Sequence, residues 1–521
     1  MTDPLVTEPP VAVVGAGVAG LGTALALARA GHRVVLFERD ATPLPADPDA
    51  AFAWDRRGAP QVRHSHALLA RLRNLLRDRY PDVLEDLLAA GATEIRFADG
   101  LPVEITDREP RPGDEDLVAL ACRRTTFEWV LRRKVLATDA VTLRDGVAVT
   151  RLLAERTATG PRVTGVAVRP ADAPATGAHG DEEVPASMVV AALGRRSAVP
   201  VWLADLDVHP GEQVEDTGII YLSRFYRLHD DAEPPSAEGP IGGDLGYLKY
   251  AVFQGDNRTL SVTFAVDADD RELRARLVEP AEFDHAARTL PATRPWADGA
   301  VTEAITEVHT MGGLINRKVA FLDDDGQPLV LGFHAVGDAH TCTNPLYGRG
   351  CSLAMVQANL LADALAAHPG DGERELVARA IDYEAASDRE IRPWYRAAVN
   401  QDRLNRQAAA DRATEREGGP EADDARAVSA SHGQEDDADR TTREFVQSIM
   451  RDGLLPAVRT DATVFRAFVR AFNLLDPPEL ITTDPDVVNR VLAAYQARDE
   501  RPPDEPLGPD RTGLLAALDA R

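Results

Sequence analysis

Lysine, cysteine and aromatic residues are scarce in this 521-residue chain. Only three lysines occur (Lys134, Lys249 and Lys318), and the three cysteines show no C-x-x-C or C-x-x-H spacing. So sparse a cysteine set argues against a disulfide framework and against a cysteine zinc site. With 84 acidic and 58 basic residues, the net charge is −26, which argues against a nucleic-acid or anionic-membrane surface.

Long hydrophobic runs are absent apart from Val11–Ala28, which carries no charge. Its glycines are better explained by a cofactor turn than by a membrane span. The opening residues, MTDPLVTEPP, contain no Lys or Arg, unlike a secretory signal. The composition, 44% hydrophobic and 27% charged, is that of a globular protein with room for about three domains. We therefore expect a soluble, cytoplasmic protein without a transmembrane segment, and the sequence does not indicate its oligomeric state.

The most informative stretch is Val11–Arg39. It reads as an apolar run, a glycine turn, a helix-forming run, a second apolar run and an acid: Val11–Val14, Gly15-x-Gly17-x-x-Gly20, Val18–Ala30, Val34–Phe37 and Glu38. This order is the fingerprint of a dinucleotide-binding βαβ unit. Gly15 makes a tight turn, Gly17 admits a pyrophosphate and Gly20 lets helix and strand pack closely. The stretch therefore predicts a Rossmann-type domain, with an acid placed to accept from a ribose hydroxyl.

A second glycine turn lies about 320 residues further along the chain. Gly337-Asp338 closes the buried run Pro328–Asp338, and Asn344–Gly350 leads into a helix-forming run, Ser352–Ala367. The acid is placed to bind sugar hydroxyls, and the glycine turn directs N–H groups at an electron-rich ligand. Two such turns would be redundant for a small, mobile NAD(P), so they indicate one long, tightly held cofactor.

At this point the sequence resembles FAD-dependent monooxygenases with the aromatic-hydroxylase (group A) fold, which include squalene-epoxidase-like and polyether-epoxidase-like enzymes. The matching segments are the first glycine turn with Glu38-Arg39, Cys122–Glu128 (CRRTTFE), Gly337–Ala354 (GDAHTCTNPLYGRGCSLA) and Pro60–Leu69 (PQVRHSHALL). The last of these is similar to a loop that runs beside the isoalloxazine in a subgroup of the family. The resemblance implies tightly bound FAD and NAD(P)H as a transient reductant.

The resemblance also implies which residues bind the cofactor. The first glycine turn would bind the pyrophosphate through Gly15, Ala16, Gly17, Val18 and Gly20. The adenosine end would be bound by Glu38, Arg39 and Val149. The ribityl and phosphate region would be bound by Arg124, Gly337 and Asp338. The isoalloxazine would lie beside Arg63 of the PQVRHSHALL loop and beside Pro345, Gly348, Arg349 and Gly350 of the second turn.

Aromatic residues on strand-forming segments between Asp216 and Val266 predict an antiparallel sheet over the substrate. The candidate substrate-binding residues are His64, His66, Tyr221, Phe225, Tyr247 and Phe253, with Tyr250 as a further aromatic of the same stretch. The two histidines lack a third ligand at a recognisable spacing, so we expect no metal site. They line the flavin edge, or else one is exposed and the other is packed against a helix start. No acid–base constellation is apparent, and catalytic residues stay unassigned.

The sequence departs from the family pattern in its middle motif. The family has an acid before a glycine, where this chain reads Ala191-Ala192-Leu193-Gly194-Arg195-Arg196. Arg195 and Arg196 then either serve a pyridine-nucleotide phosphate or are surface cations, and the second interpretation is slightly favoured.

The expected fold is α/β: a Rossmann-type FAD-binding domain with an inserted antiparallel β-sheet substrate domain and a helical C-terminal region. The expected boundaries are 1–93, 122–205 and 326–370 for three parts of the FAD-binding domain, 94–121 for strands of the substrate sheet, 206–325 for the substrate-binding sheet domain, and 371–521 for the helical region, with an acidic loop at 411–440.

The expected activity is that of a monooxygenase that inserts one oxygen atom of O2 into a largely apolar small molecule, by hydroxylation or epoxidation, in secondary metabolism. One alternative is an FAD-dependent reductase or dehydrogenase of the geranylgeranyl-reductase type. Another is a flavin-fold protein that has lost turnover and only binds a ligand or partner. Flavin halogenases are disfavoured, because no Trp-x-Trp occurs and no lysine lies in Pro60–Ala70.

Overall fold

The computed structural model describes residues 8–173, 181–235, 241–416, 445–446, 448–502 and 506–520. The strands within these residues are β1 (Val11–Val14), β2 (Val34–Phe37), β3 (Thr93–Arg96), β4 (Val118–Ala121), β5 (Val141–Arg144), β6 (Val147–Thr157), β7 (Gly160–Pro170), β8 (Glu182–Pro185), β9 (Met188–Ala191), β10 (Gly211–Asp216), β11 (Ile219–Leu228), β12 (Gly242–Asp244), β13 (Leu248–Gln254), β14 (Thr259–Asp267), β15 (Thr302–Ala304), β16 (His309–Met311), β17 (Ile315–Ala320), β18 (Phe333–Ala335) and β19 (Thr341–Cys342).

The helices begin with α1 behind the first strand and end close to the C-terminus. They are α1 (Val18–Arg29), α2 (Pro48–Phe52), α3 (Ala70–Arg79), α4 (Pro81–Ala89), α5 (Arg124–Leu136), α6 (Val199–Ala204), α7 (Arg271–Leu277), α8 (Pro280–Thr289), α9 (Gly350–Ala367), α10 (Glu373–Arg416), α11 (Leu455–Thr460), α12 (Ala462–Phe472), α13 (Leu480–Thr483), α14 (Pro485–Gln496) and α15 (Arg511–Asp519).

A five-stranded parallel sheet, in the order β18-β9-β1-β2-β5, forms the centre of the nucleotide-binding region. Every residue of β1 is buried, because helices α1, α5 and α9 cover one face and the β6–β7 hairpin covers the other. Parallel strands covered on both faces read as unbroken apolar runs, as VAVV and MVVA do here. The Rossmann-type domain is confirmed.

The second large sheet is antiparallel, in the order β12-β13-β14-β11-β15, with β16 also paired to β11. One face packs Leu222, Val262 and Phe264 against α7, α8 and α15. The opposite face carries Tyr221, Ser223 and Phe225, one strand-period apart. The predicted antiparallel sheet is confirmed, and its second face covers the candidate site.

Two details of the predicted boundaries are wrong. Strands β3 and β4 pair with each other in a two-stranded sheet, so 94–121 does not join the substrate sheet. The buried strand β4 is instead bridged to Leu68, and the connection between β3 and β4 packs Leu101 and Ile105 on α12. At the other end, residues 411–416 continue α10 rather than forming a loop, because the preceding QAAAD run favours helix. The rest of the predicted acidic loop, 417–440, lies outside the described residues.

Helix α9 lies in the core between the two glycine turns. Among the described residues it is the one helix long and apolar enough to cross a membrane, and 72% of it is buried inside the protein. Its apolar character is accounted for by packing against α1, where a Cβ on Gly22 would lie 2.4 Å from the Met355 sulfur.

Candidate functional site

The first glycine turn has room for a ligand at one position only. Gly15 has a φ of +101°, and a Cβ there would lie 2.6 Å from the Ala192 carbonyl oxygen. A Cβ on Gly20 would lie 1.7 Å from the Gly15 oxygen. A Cβ on Gly17, at the start of α1, would meet nothing within 4 Å. Gly15 and Gly20 therefore serve close packing, whereas Gly17 faces open space at a helix N-terminus, where free N–H groups attract anions.

Glu38 lies beside this turn, as predicted, but its carboxylate is already engaged. It accepts hydrogen bonds from the backbone N–H groups of Ala16 (2.8 Å) and Asp40 (2.9 Å). A carboxylate has about four acceptor positions, so a ribose hydroxyl can still be accommodated. The adjacent strand is tied to the same place, because the Val147 N–H donates to the Glu38 carbonyl oxygen (3.0 Å), and Val149 follows two residues on. Arg39 is exposed at the rim.

A buried chain of ion pairs links the two ends of the site. The fully buried Glu128 accepts from Arg56 Nε (2.7 Å) and from an Arg124 terminal nitrogen (2.9 Å). Arg56 also donates to the Ala16 carbonyl oxygen (3.0 Å), and Arg124 donates to the Cys351 sulfur (3.3 Å). Burial alone would raise the pKa of Glu128, but the two guanidinium groups overcome it and lower the pKa below its usual value. The chain thus runs from the first glycine turn to the first turn of α9.

Sequence reasoning missed Arg56 and Glu128. Arg56 stands in a Pro- and Asp-rich loop, where a basic residue looks like any solvated charge. The one available signal was the position of Glu128 four residues after Arg124, which puts both on one face of α5.

The second glycine turn packs directly on the first helix. Gly337 has a φ of +65°, and a Cβ there would lie 2.9 Å from the Ala19 Cβ. A Cβ on Gly348 would lie 2.8 Å from the Ala67 Cβ, whereas one on Gly350 would meet nothing within 4 Å. The two turns therefore meet in space, and each keeps one glycine open.

Asp338 is half-buried at this meeting point. Burial raises the pKa of its carboxyl group, and Arg124, Arg195 and Arg317 only partly oppose that rise. Within the described residues, no hydrogen bond reaches its carboxylate. The acceptor positions of this partly desolvated carboxylate are therefore open to a ligand that carries hydroxyl donors.

The arginines around the site differ in their placement. Arg349 turns its guanidinium towards α10, where it donates to the Trp394 carbonyl oxygen (3.0 Å) and lies 5.2 Å from the centre of the Trp394 ring. It also lies 4.7 Å from the centre of the Tyr347 ring, so the side chain bridges its own turn and α10. Arg63 is exposed and lies 3.9 Å from Asp55. Arg195 is half-buried and donates to the Gly313 carbonyl oxygen (3.1 Å), and Arg196 is exposed, so whether the two are surface cations or bind a nucleotide phosphate stays a prediction.

His64 is buried and His66 is half-buried, so neither histidine is exposed and the alternative with one exposed histidine is wrong. His64 Nδ1 lies 3.3 Å from the Ser223 hydroxyl, and His66 Nδ1 lies 2.9 Å from the His64 carbonyl oxygen. Burial, helped by His309 and Arg195, lowers the pKa of His64 to about 4. Burial, with Arg124 next in effect, lowers the pKa of His66 to about 3. Both imidazoles are therefore neutral at physiological pH.

Two cavities lie at opposite ends of the inner face of the antiparallel sheet. The histidine cavity is small, with a volume of about 10 Å³, and is lined by residues that include His64, His66, Arg124, Phe225, Phe253 and Ser261. The helix cavity, of about 110 Å³, is lined by residues that include Ile219, Tyr247, Lys249, Ala265, Arg406 and Ala409. It is the larger of the two cavities.

A ladder of hydroxyl groups crosses the sheet between the two cavities. The Ser65 hydroxyl lies 2.6 Å from those of both Ser261 and Thr263, and Thr263 lies 2.9 Å from Ser223. Tyr221 follows on β11, and its buried hydroxyl has no partner among the described residues. The sheet face that is predicted to lie over the substrate is therefore polar in its middle.

The predicted aromatic residues separate into groups. Phe225 and Phe253 line the histidine cavity, and Tyr221 packs beside Leu346 of the second glycine turn. Tyr247 lies at the helix cavity, where its hydroxyl donates to the Pro509 carbonyl oxygen (2.9 Å). Tyr250 belongs to the opposite face, in the core against α7 and α8.

Comparisons with known proteins agree with this architecture. The NAD(P)-binding Rossmann-like domain family matches residues 13–44, and no curated protein matches the sequence. The anhydrotetracycline hydroxylase OxyS from Streptomyces rimosus is similar in structure, with 21% identity over 90% of this chain and 76% of its own, at a TM-score of 0.53.

Two further solved structures are similar over about three quarters of the chain. PqsL, a probable FAD-dependent monooxygenase from Pseudomonas aeruginosa, shares 17% identity over 76% of this chain and 94% of its own, at a TM-score of 0.51. The flavin-dependent brominase Bmp2 shares 17% identity over 76% of this chain and 89% of its own, at a TM-score of 0.52. The chain therefore has the fold of FAD-dependent monooxygenases and halogenases.

Proposed function

We propose that the protein is an FAD-dependent monooxygenase that transfers one oxygen atom of O2 to a largely apolar small molecule, by hydroxylation or epoxidation. NAD(P)H is the proposed reductant, and secondary metabolism is the proposed setting. The observation that carries the proposal is Asp338, a half-buried acid that accepts no hydrogen bond among the described residues, at the point where the two glycine turns meet.

The residues at this point fit FAD. Gly17 and Gly350 leave open space along the backbone, and Arg124 keeps a buried Nε–H group without a partner among the described residues. Phosphates are acceptors and suit the start of α1, whereas the ribityl chain carries hydroxyl donors that suit Asp338. Bound FAD would supply the redox chemistry, taking a hydride from NAD(P)H and activating O2.

The protein's own contribution is enclosure and orientation of the substrate. The antiparallel sheet excludes water from the inner face, and Phe225 and Phe253 offer apolar surface at one end of it. The hydroxyl ladder of Ser65, Ser223, Ser261 and Thr263 would orient a polar group of an otherwise apolar substrate. The neutral imidazole of His66 donates through Nδ1 to the His64 carbonyl oxygen, which leaves Nε2 to accept a hydrogen bond at the edge of this surface.

The reductant is proposed to bind only transiently. The family carries an acid in the segment that reads Ala191–Gly194 here. In this chain the segment has no acid, and its Ala192 carbonyl oxygen packs against Gly15. Arg196 is exposed and Arg195 half-buried beyond this segment, so the pair offers cations for a nucleotide phosphate at the surface.

The experiment begins with purification and the visible absorption spectrum. A flavin spectrum, followed by NAD(P)H-dependent consumption of O2 and transfer of isotopically labelled oxygen from O2 to a product, supports the proposal. The variant for comparison is Asp338→Ala, which should fold but should bind FAD more weakly than the wild type. Wild-type protein that takes up no FAD ends the proposal. FAD-dependent alkene reduction without incorporation of oxygen favours the reductase alternative, and binding without turnover favours the non-catalytic one.

A further inference from the structure

We propose that Asp402 is a positioning residue, which fixes the turn Asn344–Tyr347 from the long helix α10 and so sets the surface that FAD contacts. The proposal rests on the proposed function, because it takes this turn to lie beside bound FAD. Asp402 is far from both glycine motifs in sequence, and no pattern around it marks it out.

Three side-chain donors converge on the Asp402 carboxylate. One oxygen accepts from the Asn344 amide (2.9 Å) and from the Tyr347 hydroxyl (2.8 Å). The other accepts from the Asn316 amide on β17 (2.7 Å). Asn316 in turn accepts from the Asn344 backbone N–H (2.8 Å). The turn is therefore held at both ends, by its first and its last residue.

The composition of this network argues for positioning rather than for stability. Asp402 is only 2% exposed, and Asn316 and Asn344 are fully buried. The three hydrogen-bond donors are two amides and a phenol rather than a cation. Burial raises the pKa of Asp402, and the three donors only partly offset that rise. Within the described residues no cation forms an ion pair with this carboxylate, and Arg406 acts on it only from a distance. A buried charge held in this way is unfavourable, so a packed apolar residue would stabilise the fold at least as well. What the network uniquely supplies is one defined conformation of the turn.

The turn itself needs such support. Asn344 is its N-terminal cap, with its side-chain oxygen accepting from the Leu346 N–H (3.0 Å), and Gly348 then reverses the chain with a φ of +65°. This short segment joins the Asp338 turn to α9 and has little regular structure of its own. The N–H groups of Leu346, Tyr347 and Gly348 bond within the segment, so the anchor to Asp402 fixes where the segment as a whole lies.

The anchor comes from the helix that also walls the helix cavity. Asn405, Arg406 and Ala409 lie one to two turns beyond Asp402 on α10 and line that cavity. One helix therefore shapes the larger cavity and holds the turn at which FAD would lie. Asp402 should affect the turn and the rate of the reaction more than the fit of the substrate.

The test uses the full-length protein and four variants. Asp402→Asn removes the charge at nearly constant shape, and Tyr347→Phe removes one hydrogen bond with little risk to folding. The double variant Asn344→Asp/Asp402→Asn restores a carboxylate–amide pair with its polarity reversed. Gln401→Ala, on the exposed side of the same helix, is the matched control. The readouts are the Kd for FAD, the visible absorption bands of the bound flavin, and kcat and KM.

We expect Asp402→Asn and Tyr347→Phe to shift the flavin bands and to weaken FAD binding about tenfold, the effect of one hydrogen bond to a charged acceptor. They should lower kcat with KM within about twofold, and the double variant should regain most of the loss. Unchanged bands and Kd in Tyr347→Phe, or a double variant no better than Asp402→Asn, overturn the positioning role. Wild-type protein that binds no FAD overturns the proposed function instead, and the two failures are therefore distinguishable.

Discussion

Replacing Glu128 by glutamine gives the sharpest test of the buried ion-pair chain. The substitution keeps the shape of the side chain and leaves Arg56 and Arg124 facing an amide instead of a carboxylate. Glu128 is 0% exposed, and its two partners are 2.7 and 2.9 Å away, so neither guanidinium can turn to water. Removing one member of a buried pair costs about 3–5 kcal/mol.

That magnitude is large against the total stability of a protein, about 5–15 kcal/mol. Urea unfolding of the apo protein is the suitable assay, followed by tryptophan fluorescence, because the Arg56 guanidinium lies 5.0 Å from the centre of the Trp54 ring. The control is Glu85→Gln, an exposed acid on α4, which should change the free energy of unfolding by less than about 0.5 kcal/mol.

The pH dependence supplies a second readout with a definite sign. The pKa of Glu128 is lower in the folded than in the unfolded chain, where it is about 4.3. Its stabilising effect is therefore complete above about pH 4.3 and is lost as pH falls through the folded-state pKa. The difference in stability between wild type and Glu128→Gln should narrow on acidification. A difference below about 1 kcal/mol at neutral pH, or one that does not narrow, would refute the reasoning.

Further substitutions separate folding from cofactor binding. Gly20→Ala places a methyl group 1.7 Å from the Gly15 oxygen and should destabilise the apo protein by more than about 3 kcal/mol in urea. Gly17→Ala should change apo stability by only about 1 kcal/mol yet weaken FAD binding at least about tenfold in a fluorescence titration, and equal affinity would contradict the assigned role. Burial raises the pKa of Asp338, so its charge costs stability above the unfolded pKa of about 3.9 and not below it. Asp338→Asn should therefore raise the apo melting temperature at neutral pH while weakening FAD binding, and a lower melting temperature would contradict this. Ala409→Phe narrows the helix cavity and should raise KM about fivefold or more with kcat nearly unchanged, whereas an unchanged KM would place the substrate elsewhere.

Local signals predicted the elements that hold the cofactor region together. The strand at Val11–Val14, the turn at Gly15 and the helix behind it each depend on neighbouring residues, so the sequence sufficed. The same holds for the strand–turn–helix order around Gly337 and for the alternation that indicates an antiparallel sheet. These features rest on turn geometry and on hydrophobic patterning, which are properties of short windows.

The contacts between buried polar side chains could not be predicted from such short windows. Arg56 pairs with Glu128, which lies 72 residues later in the chain, and Asp402 accepts hydrogen bonds from residues 58 and 86 positions earlier. No pattern in the sequence next to Arg56 or Asp402 therefore indicates its role. Charged residues are usually solvated, which makes a surface the reasonable expectation for each of them. Long-range pairing of this kind requires the tertiary structure.

The strand order of the parallel sheet has a consequence for synthesis on the ribosome. Strand β1 pairs with β9, and the strand on the other side of β9 is β18 (Phe333–Ala335), which is synthesised much later. Helix α1 is likewise covered only after α9 has been synthesised. At about 5–20 residues per second, roughly 20–70 s separate the appearance of the first strand from that of Ala367. For that time a nascent chain carries an apolar strand edge and helix face that invite aggregation. A chain truncated before α9 therefore lacks a folded nucleotide-binding domain, however intact its glycine fingerprint.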